Sequence, residues 1–409
     1  MFYKVSSTMI RFYNMIFKLL NKEETPNKSL PIELQIMILL KLPVKSLVRF
    51  KCVSKNWLTE ITSKTFINLY NHENYPQNHD SNHRYLILVG SSSISSFDYS
   101  TGRDMVSNFA LPREFQEELN SKFVGSCNGL LCFVSLTSGK ILLYNPITKA
   151  NRVIRISGFT PSYKEYETGF GYDHMSNDYK ILWVSRKKIA YILRLRSNKC
   201  KKIKYTPTTR FAWHFGSFQK EKPSMVYSNN ALHWVGQGTQ GSPGSIVYEI
   251  ISCFDIGSEK FYELRTPRLM INTWMSSSWN IADLRGYLHC VIHCCPDRSS
   301  PHNLEIWVMK EYGVHKSWTK LINYSSVERM FSRGIDYIWS QPNVYVYSKD
   351  DREILIKFGP YSKQLLLSCN LITRKIKKVR VSLFDGDDLV DKGLKGFYVA
   401  PWSPSFVSL

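Results

Sequence analysis

No run of about 18 consecutive apolar residues occurs in the 409-residue sequence, so no helix that spans a membrane is expected. Acid is scarce: 33 Asp and Glu stand against 54 Lys and Arg, a formal charge of +21. That imbalance favours an acidic protein, a nucleic acid or an anionic surface as company, without choosing among them. A Walker A lysine motif and a Gly-x-Ser-x-Gly elbow are both missing. No stretch gathers a nucleophile, a base and an orienting acid at interpretable spacing, so a non-catalytic protein without a cofactor is expected. Paired cysteine spacing is lacking too. The nine cysteines, an odd number scattered from Cys52 to Cys369, read as reduced thiols of a cytoplasmic or nuclear protein. The sequons at Asn27 and Asn323 would matter only on a secretory route, which nothing here advertises.

Acid is entirely absent from the first 22 residues, where Lys4, Arg11 and Lys18 recur seven apart. That spacing fits one face of an amphipathic helix, but a simple extension over residues 1–28 is the plainer reading. Residues 29–70 carry helical, strongly apolar patterning. The stretch 71–84, "NHENYPQNHDSNHR", has almost no apolar residue and contains a proline, so it reads as a linker. Its His72, His79 and His83 match no metal-ligand spacing.

From residue 85 to 409 the texture changes to short apolar runs rich in Tyr, Phe, Trp, Val and Ile, punctuated by turn residues. One unit recurs about every fifty residues: apolar strand, tight polar turn with a basic residue, second apolar strand. It is legible in "SFDYSTGRDMV", "LLYNPITKANRVI", "YILRLRSNKCKKI", "CFDIGSEKFYEL", "WVMKEYGVHKSWTKL" and "SCNLITRKIKKVRV". A second motif, turn then strand, appears in "SCNGLLCFV", "NNALHWV" and "LRGYLHCVI". Four strands per fifty residues predict a mainly β fold, a β-propeller of about six blades, whose radial repetition leaves only short edges.

Three local patterns invite chemistry. "GQGTQG" (236–241) matches the dinucleotide fingerprint formally, but a strand rather than a helix follows, so the phosphate has no helix N-terminus and an interstrand loop is expected. "LHCVIHCC" (288–295) raises zinc. On a strand, residues four apart sit about 13 Å from each other, too far for Cys290 and Cys294 to share an ion, and no metal is assigned. Nine Lys and Arg without an acid fill residues 186–204, and "TRKIKKVR" repeats the bias near the end. Alternation in "KIKKVRV" marks exposed hairpin faces; an acidic protein surface is favoured over nucleic acid as the partner.

The helical stretch raises a different question. "LPIELQIMILLKL" is interrupted only by Pro31, Glu33, Gln35 and Lys41, and in "LPVKSLVRFKCVSKNW" Leu47, Phe50 and Trp57 fall on one arc, with Ile61, while Val44 and Val48 fall on another. About 40 residues bury too little surface to be stable alone, so the leftover apolar face must meet something else.

Residues 30–70 resemble the F-box: Leu30-Pro31, "ILLKLPVKSL", "RFKCVSK" and Trp57 stand in family order, with Ile32 and Met37 where plant relatives often carry acids. "SCNGLLCF", "LYNPITK", "GFGYD", "DYKIL" and "CFDIGSEKF" are similar to the plant F-box-associated domain of the first type, a kelch-like β-propeller. The resemblance implies a small all-α F-box module ahead of the propeller. It implies the substrate-recognition subunit of an SCF-type ubiquitin ligase: the F-box docks on the SKP adaptor and, through it, on cullin and a RING subunit, while the propeller binds a target for ubiquitination. Leu30, Pro31, Ile36, Leu39, Leu40, Leu42, Pro43, Leu47, Phe50, Val53 and Trp57 are the candidates for the adaptor interface and the core behind it. Trp234, Trp274 and Trp279, with the loops 236–244 and 273–280, are the candidates for the target-binding face. Two other readings remain: a propeller scaffold for nucleic acid or an acidic partner, independent of ubiquitin, and a receptor of the S-locus F-box type, suggested by "MKEYGV" and "SWTKL". Pistil ribonucleases tend to be basic, and repulsion from a +21 chain counts against the second.

Overall fold

The structure is a computed structural model; it describes most of residues 30–70 and, between 85 and 405, the strands and short turns named below. The extension 1–28 and the linker 71–84 lie outside the described residues, as do Pro43 and Trp274. Two compact units divide between Leu42 and Pro43.

The first unit contributes helix α1 (Ile32–Leu40). It starts after Pro31, whose fixed φ suits a helix entry, and Gln35 Nε2 donates to the Leu30 carbonyl at 2.6 Å. In the second unit the run that read as one periodic segment is two helices, α2 (Val44–Phe50) and α3 (Lys55–Thr62). The break has a local cause. Ser54 caps α3, its hydroxyl accepting from the Trp57 N–H at 3.1 Å, so the chain turns between Phe50 and Lys55. Phe50 and Trp57 then meet across the turn with ring centroids 5.2 Å apart.

Six antiparallel sheets follow. In chain order the strands are β1 (Tyr85–Val89), β2 (Ser93–Asp98), β3 (Ser107–Ala110), then β4 (Ser121–Cys127), β5 (Leu130–Ser135), β6 (Lys140–Tyr144) and β7 (Asn151–Arg155). The next sheet holds β8 (Tyr166–Asp173), β9 (Asp178–Ser185), β10 (Ile189–Arg194) and β11 (Lys199–Lys204). After it come β12 (Thr209–Phe211) and β13 (Val226–Ser228), both paired to β14 (Ala231–Thr239), with β15 (Val247–Asp255) and β16 (Lys260–Arg265). The last two full sheets are β17 (Ser276–Leu284), β18 (Tyr287–Cys295), β19 (Asn303–Met309), β20 (Trp318–Ser325), and β21 (Asn343–Tyr347), β22 (Glu353–Phe358), β23 (Leu365–Asn370), β24 (Ile376–Val379). The final strand, β25 (Tyr398–Trp402), returns to pair with β1 and completes the first sheet in the order β25-β1-β2-β3.

The first strands of successive sheets, β4, β8, β13, β17, β21 and β25, touch one another around a closed ring. This is a six-bladed β-propeller, with each blade numbered here from its innermost strand. The recurring hairpins of the sequence are the third and fourth strands of the blades, and "SCNGLLCFV", "NNALHWV" and "LRGYLHCVI" are first-to-second hairpins. Two-residue turns there need positive φ at both positions, supplied by Asn128-Gly129, Asn229-Asn230 and Arg285-Gly286. The core lies between blades: Ile154 and Val134 of one sheet pack with Trp183 and Leu193 of the next, and Ile251 and Cys253 with Trp279 and Ile292.

Two expected loops are corrected in part, residues 240–244 and 273–275 lying outside the described residues. Gly236–Thr239 continues β14, opposite Val247–Ile250, and Ser276–Asn280 opens β17, opposite Val291–Cys295. Glycine and serine runs read as breakers alone, but an antiparallel partner of matching length held them in the ladder.

Candidate docking surfaces

Seven of the nine residues of helix α1 are apolar, Glu33 and Gln35 being the exceptions, and so apolar a helix is ordinarily enclosed. Here only its last turn is: Leu39 and Leu40 are buried, whereas Ile32, Leu34 and Met37 are exposed, Met37 by 61%. In the second unit Val44, Leu47 and Ile61 are buried, while Val53 (62% exposed) and Leu58 stand bare on either side of the Ser54 cap. Six of the ten most exposed large apolar side chains among the described residues fall in this short helical region, so bare grease concentrates here rather than on the propeller.

The expected interface residues therefore sort by burial. Leu39, Leu40 and Leu47 are core; Leu30, Ile36, Leu42, Phe50 and Trp57 are half-buried; Pro31 and Val53 are exposed. Leu34 and Leu58, outside that set of candidates, are exposed as well. Period-3.6 reasoning assigns apolar residues to an inward face, and nothing in the pattern says that this face ends after one turn.

The tryptophans proposed for the target face are corrected by their placement. Trp234 (3% exposed) packs with Tyr205 and Phe261 between blades, and Trp279 (2%) sits with Ile251 and Leu288. Trp279 is core because β17 opens within a segment read as a loop, and Trp234, on the strand before the other loop, because the neighbouring blade packs over it. Trp274 lies outside the described residues.

His233, His289 and His293 face inward, as do Cys290 and Cys294, whereas His174 and His315 are exposed. His289 Nε2 is 2.8 Å from the Tyr347 hydroxyl and its Nδ1 2.9 Å from the Tyr287 carbonyl. His233 repeats the arrangement one blade earlier, with Nε2 2.6 Å from the Tyr312 hydroxyl, which in turn bonds the Tyr262 hydroxyl. Burial drives both imidazoles down to about 4, so they are neutral at ordinary pH. Burial pushes the Cys290 thiol well up, an inert rather than a ligating state. Among the described residues no three His, Cys, Asp or Glu side chains are grouped to hold a metal.

Cation is concentrated on the outermost strands. On β11 the alternation leaves Lys199, Lys201, Lys202 and Lys204 exposed, with Cys200 and Ile203 packed inward. On β7, the neighbouring blade's edge, Arg152 and Arg155 are exposed.

The chain thus carries a closed propeller and, ahead of it, short helices with uncovered apolar side chains. Its sequence matches the F-box domain model over residues 28–68 and the model of the F-box associated beta propeller domain over residues 81–395. The chain belongs to the F-box proteins that carry an F-box-associated β-propeller. It is 28% identical over 316 residues to an F-box/kelch-repeat protein of Arabidopsis thaliana, covering 72% of this chain and 79% of that one. The F-box protein CPR1 of the same plant is 27% identical over 376 residues, 86% of this chain and 84% of the relative. Among solved structures, a chain of a nidogen/laminin complex matches 77% of this chain and 98% of its own, at a TM-score of 0.40 and 10% identity, a likeness too slight to bear on function. Among the described residues no helix is long and apolar enough to cross a membrane.

Proposed function

We propose that this protein is the substrate-recognition subunit of an SCF-type ubiquitin ligase, its F-box docking on an SKP adaptor and its propeller holding a target protein. The observation that carries the reading is the bare first half of α1. Each half-exposed apolar side chain covered by a partner returns about 1 kcal/mol, which supports a partner over this predominantly apolar helix. The chain's part in ubiquitin transfer is positional: adaptor, cullin and RING subunit bring the conjugating enzyme, and target lysines are presented at raised effective concentration. No catalytic group is assigned to this chain.

The test is co-purification with the adaptor after co-expression. Leu34→Glu and Val53→Glu, both on exposed positions, are expected to abolish it while leaving the melting temperature unchanged. Ile32→Glu is expected to retain it, since the plant F-box pattern that this stretch resembles often has an acid at that position. Full retention by Leu34→Glu together with Val53→Glu would sink this interface.

A further inference from the structure

We propose that the joined outer rims of two neighbouring blades, β7 and β11, bind an extended acidic segment of a protein partner; this deepens the receptor reading above and rests on it. The rims are physically connected. Asn198, in the turn before β11, donates from Nδ2 to the Arg155 carbonyl at 3.1 Å, and Ile154 and Cys200 share the core between the two blades.

Across this surface Arg152, Arg155, Arg196, Lys199, Lys202 and Lys204 are exposed. Among the described residues none of them makes an ion pair. Two acids reach this region: Glu259 is taken up by Lys180, Arg194 and Lys201 at 3.2, 2.6 and 3.4 Å, and Asp178 Oδ1 accepts from the Arg196 backbone N–H at 2.9 Å. Six exposed cations with so little acid among them repel one another, and an acidic partner relieves that repulsion.

The fold also favours a polypeptide. Strand β11 pairs only with β10 among the described strands, so its outer edge presents backbone N–H and C=O groups to one more strand. Lysines on that edge deter pairing with a second copy of the same chain but suit a strand of acidic residues. Nucleic acid would want exposed aromatic faces for stacking; the nearby Tyr166 and Tyr191 are half-buried and packed on each other edge to face, 6.1 Å between centroids. The basic residues of β11 are lysines, point charges rather than planar forks.

The experiment uses the full chain co-expressed with its adaptor and measures fluorescence anisotropy against three labelled probes: a dodecapeptide of alternating Glu and Thr, the same peptide with Gln for Glu, and a thymidylate oligonucleotide of equal length. The acidic peptide is expected to bind and the Gln peptide not. Lys199→Glu with Lys202→Glu and Lys204→Glu should weaken binding about tenfold or more. Lys260→Glu with Lys316→Glu and Lys375→Glu carries the same net charge on other exposed positions and should change it by less than about twofold. Lys202→Gln with Lys204→Gln gives a milder version whose fold is not at risk. Equal weakening by the two triple variants, tighter binding of the oligonucleotide, or no acidic-peptide binding at low salt each overturns the proposal. Adaptor co-elution, read in the same samples, reports separately on the receptor assignment.

Discussion

Single residues show where this fold is under most constraint. Gly129 holds φ +76°, and a Cβ there would lie 2.2 Å from Ser405 Oγ, where the C-terminal segment folds back. Gly129→Ala is therefore expected to cost roughly 2 kcal/mol or more, read as a lowered urea midpoint. His233 and His289 give a pH signature. Folded, each takes its proton only at about pH 4, whereas an unfolded histidine takes it near 6.5. Between those values the unfolded chain binds more protons, so stability drops as pH is lowered, by at most about 3 kcal/mol per histidine. Asp283 works in the opposite direction: burial raises its carboxyl from 3.8 to about 6, so in the same window falling pH favours the folded state. Urea midpoints measured from pH 7 to 4.5 should decline with falling pH, less steeply for His289→Gln and more steeply for Asp283→Asn. The sequence displayed "LHW" and "LHC" plainly, but their partners, Tyr312 and Tyr347, lie 79 and 58 residues away and no local pattern points to them.

At the level of elements, turn chemistry was legible and strand ends were not. Asn-Gly, Asn-Asn and Arg-Gly announced the tight hairpins because few residues accept positive φ. The ends of β14 and β17 depended on how far β15 and β18 continue, which is a property of the neighbour. The ion cluster that joins two blades was equally hidden. Lys180, buried on β9, donates to the Ile256 carbonyl at 2.8 Å and pairs with Asp173 at 2.9 Å and Glu259 at 3.2 Å. Burial by itself would raise the Asp173 carboxyl, yet hydrogen bonds from Ser176, Lys180 and the Met175 N–H outweigh it and hold the group below its usual range. Lys180→Met leaves the buried Asp173 carboxylate without its cation and is expected to cost about 3 kcal/mol. The exposed Arg194→Ala, on the same acid, should cost no more than about 1 kcal/mol. Thermal or chemical denaturation of the two variants side by side checks the contrast.

The whole molecule depends on ring closure by its last strand. β25 pairs with β1 over five residues, Trp402 Nε1 donates to the Gly129 carbonyl at 3.1 Å, Ser126 Oγ to Pro401 O at 2.7 Å, and Asn145 Nδ2 to Ser405 O at 3.0 Å. Residues more than 250 apart in sequence thus share one blade, and the first blade lacks its inner strand until the C-terminus arrives. Removing residues 398–409 is expected to abolish the single cooperative unfolding transition and to open the β domain to protease; Trp402→Ala should cost roughly 3 kcal/mol or more through the cavity it leaves. Intact cooperativity in the truncated chain would contradict closure by this strand.

The sequence alone determined the class of fold, the approximate blade number, the helical module and the excess of cation, because each is written in composition, period-2 alternation and turn residues that act over a few positions. Tertiary structure alone decided which apolar side chains stay bare, that Trp234 and Trp279 belong to the core, and that the rims of two blades bring their arginines and lysines together. Burial and juxtaposition are set by partners distant along the chain, and local pattern carries no record of them.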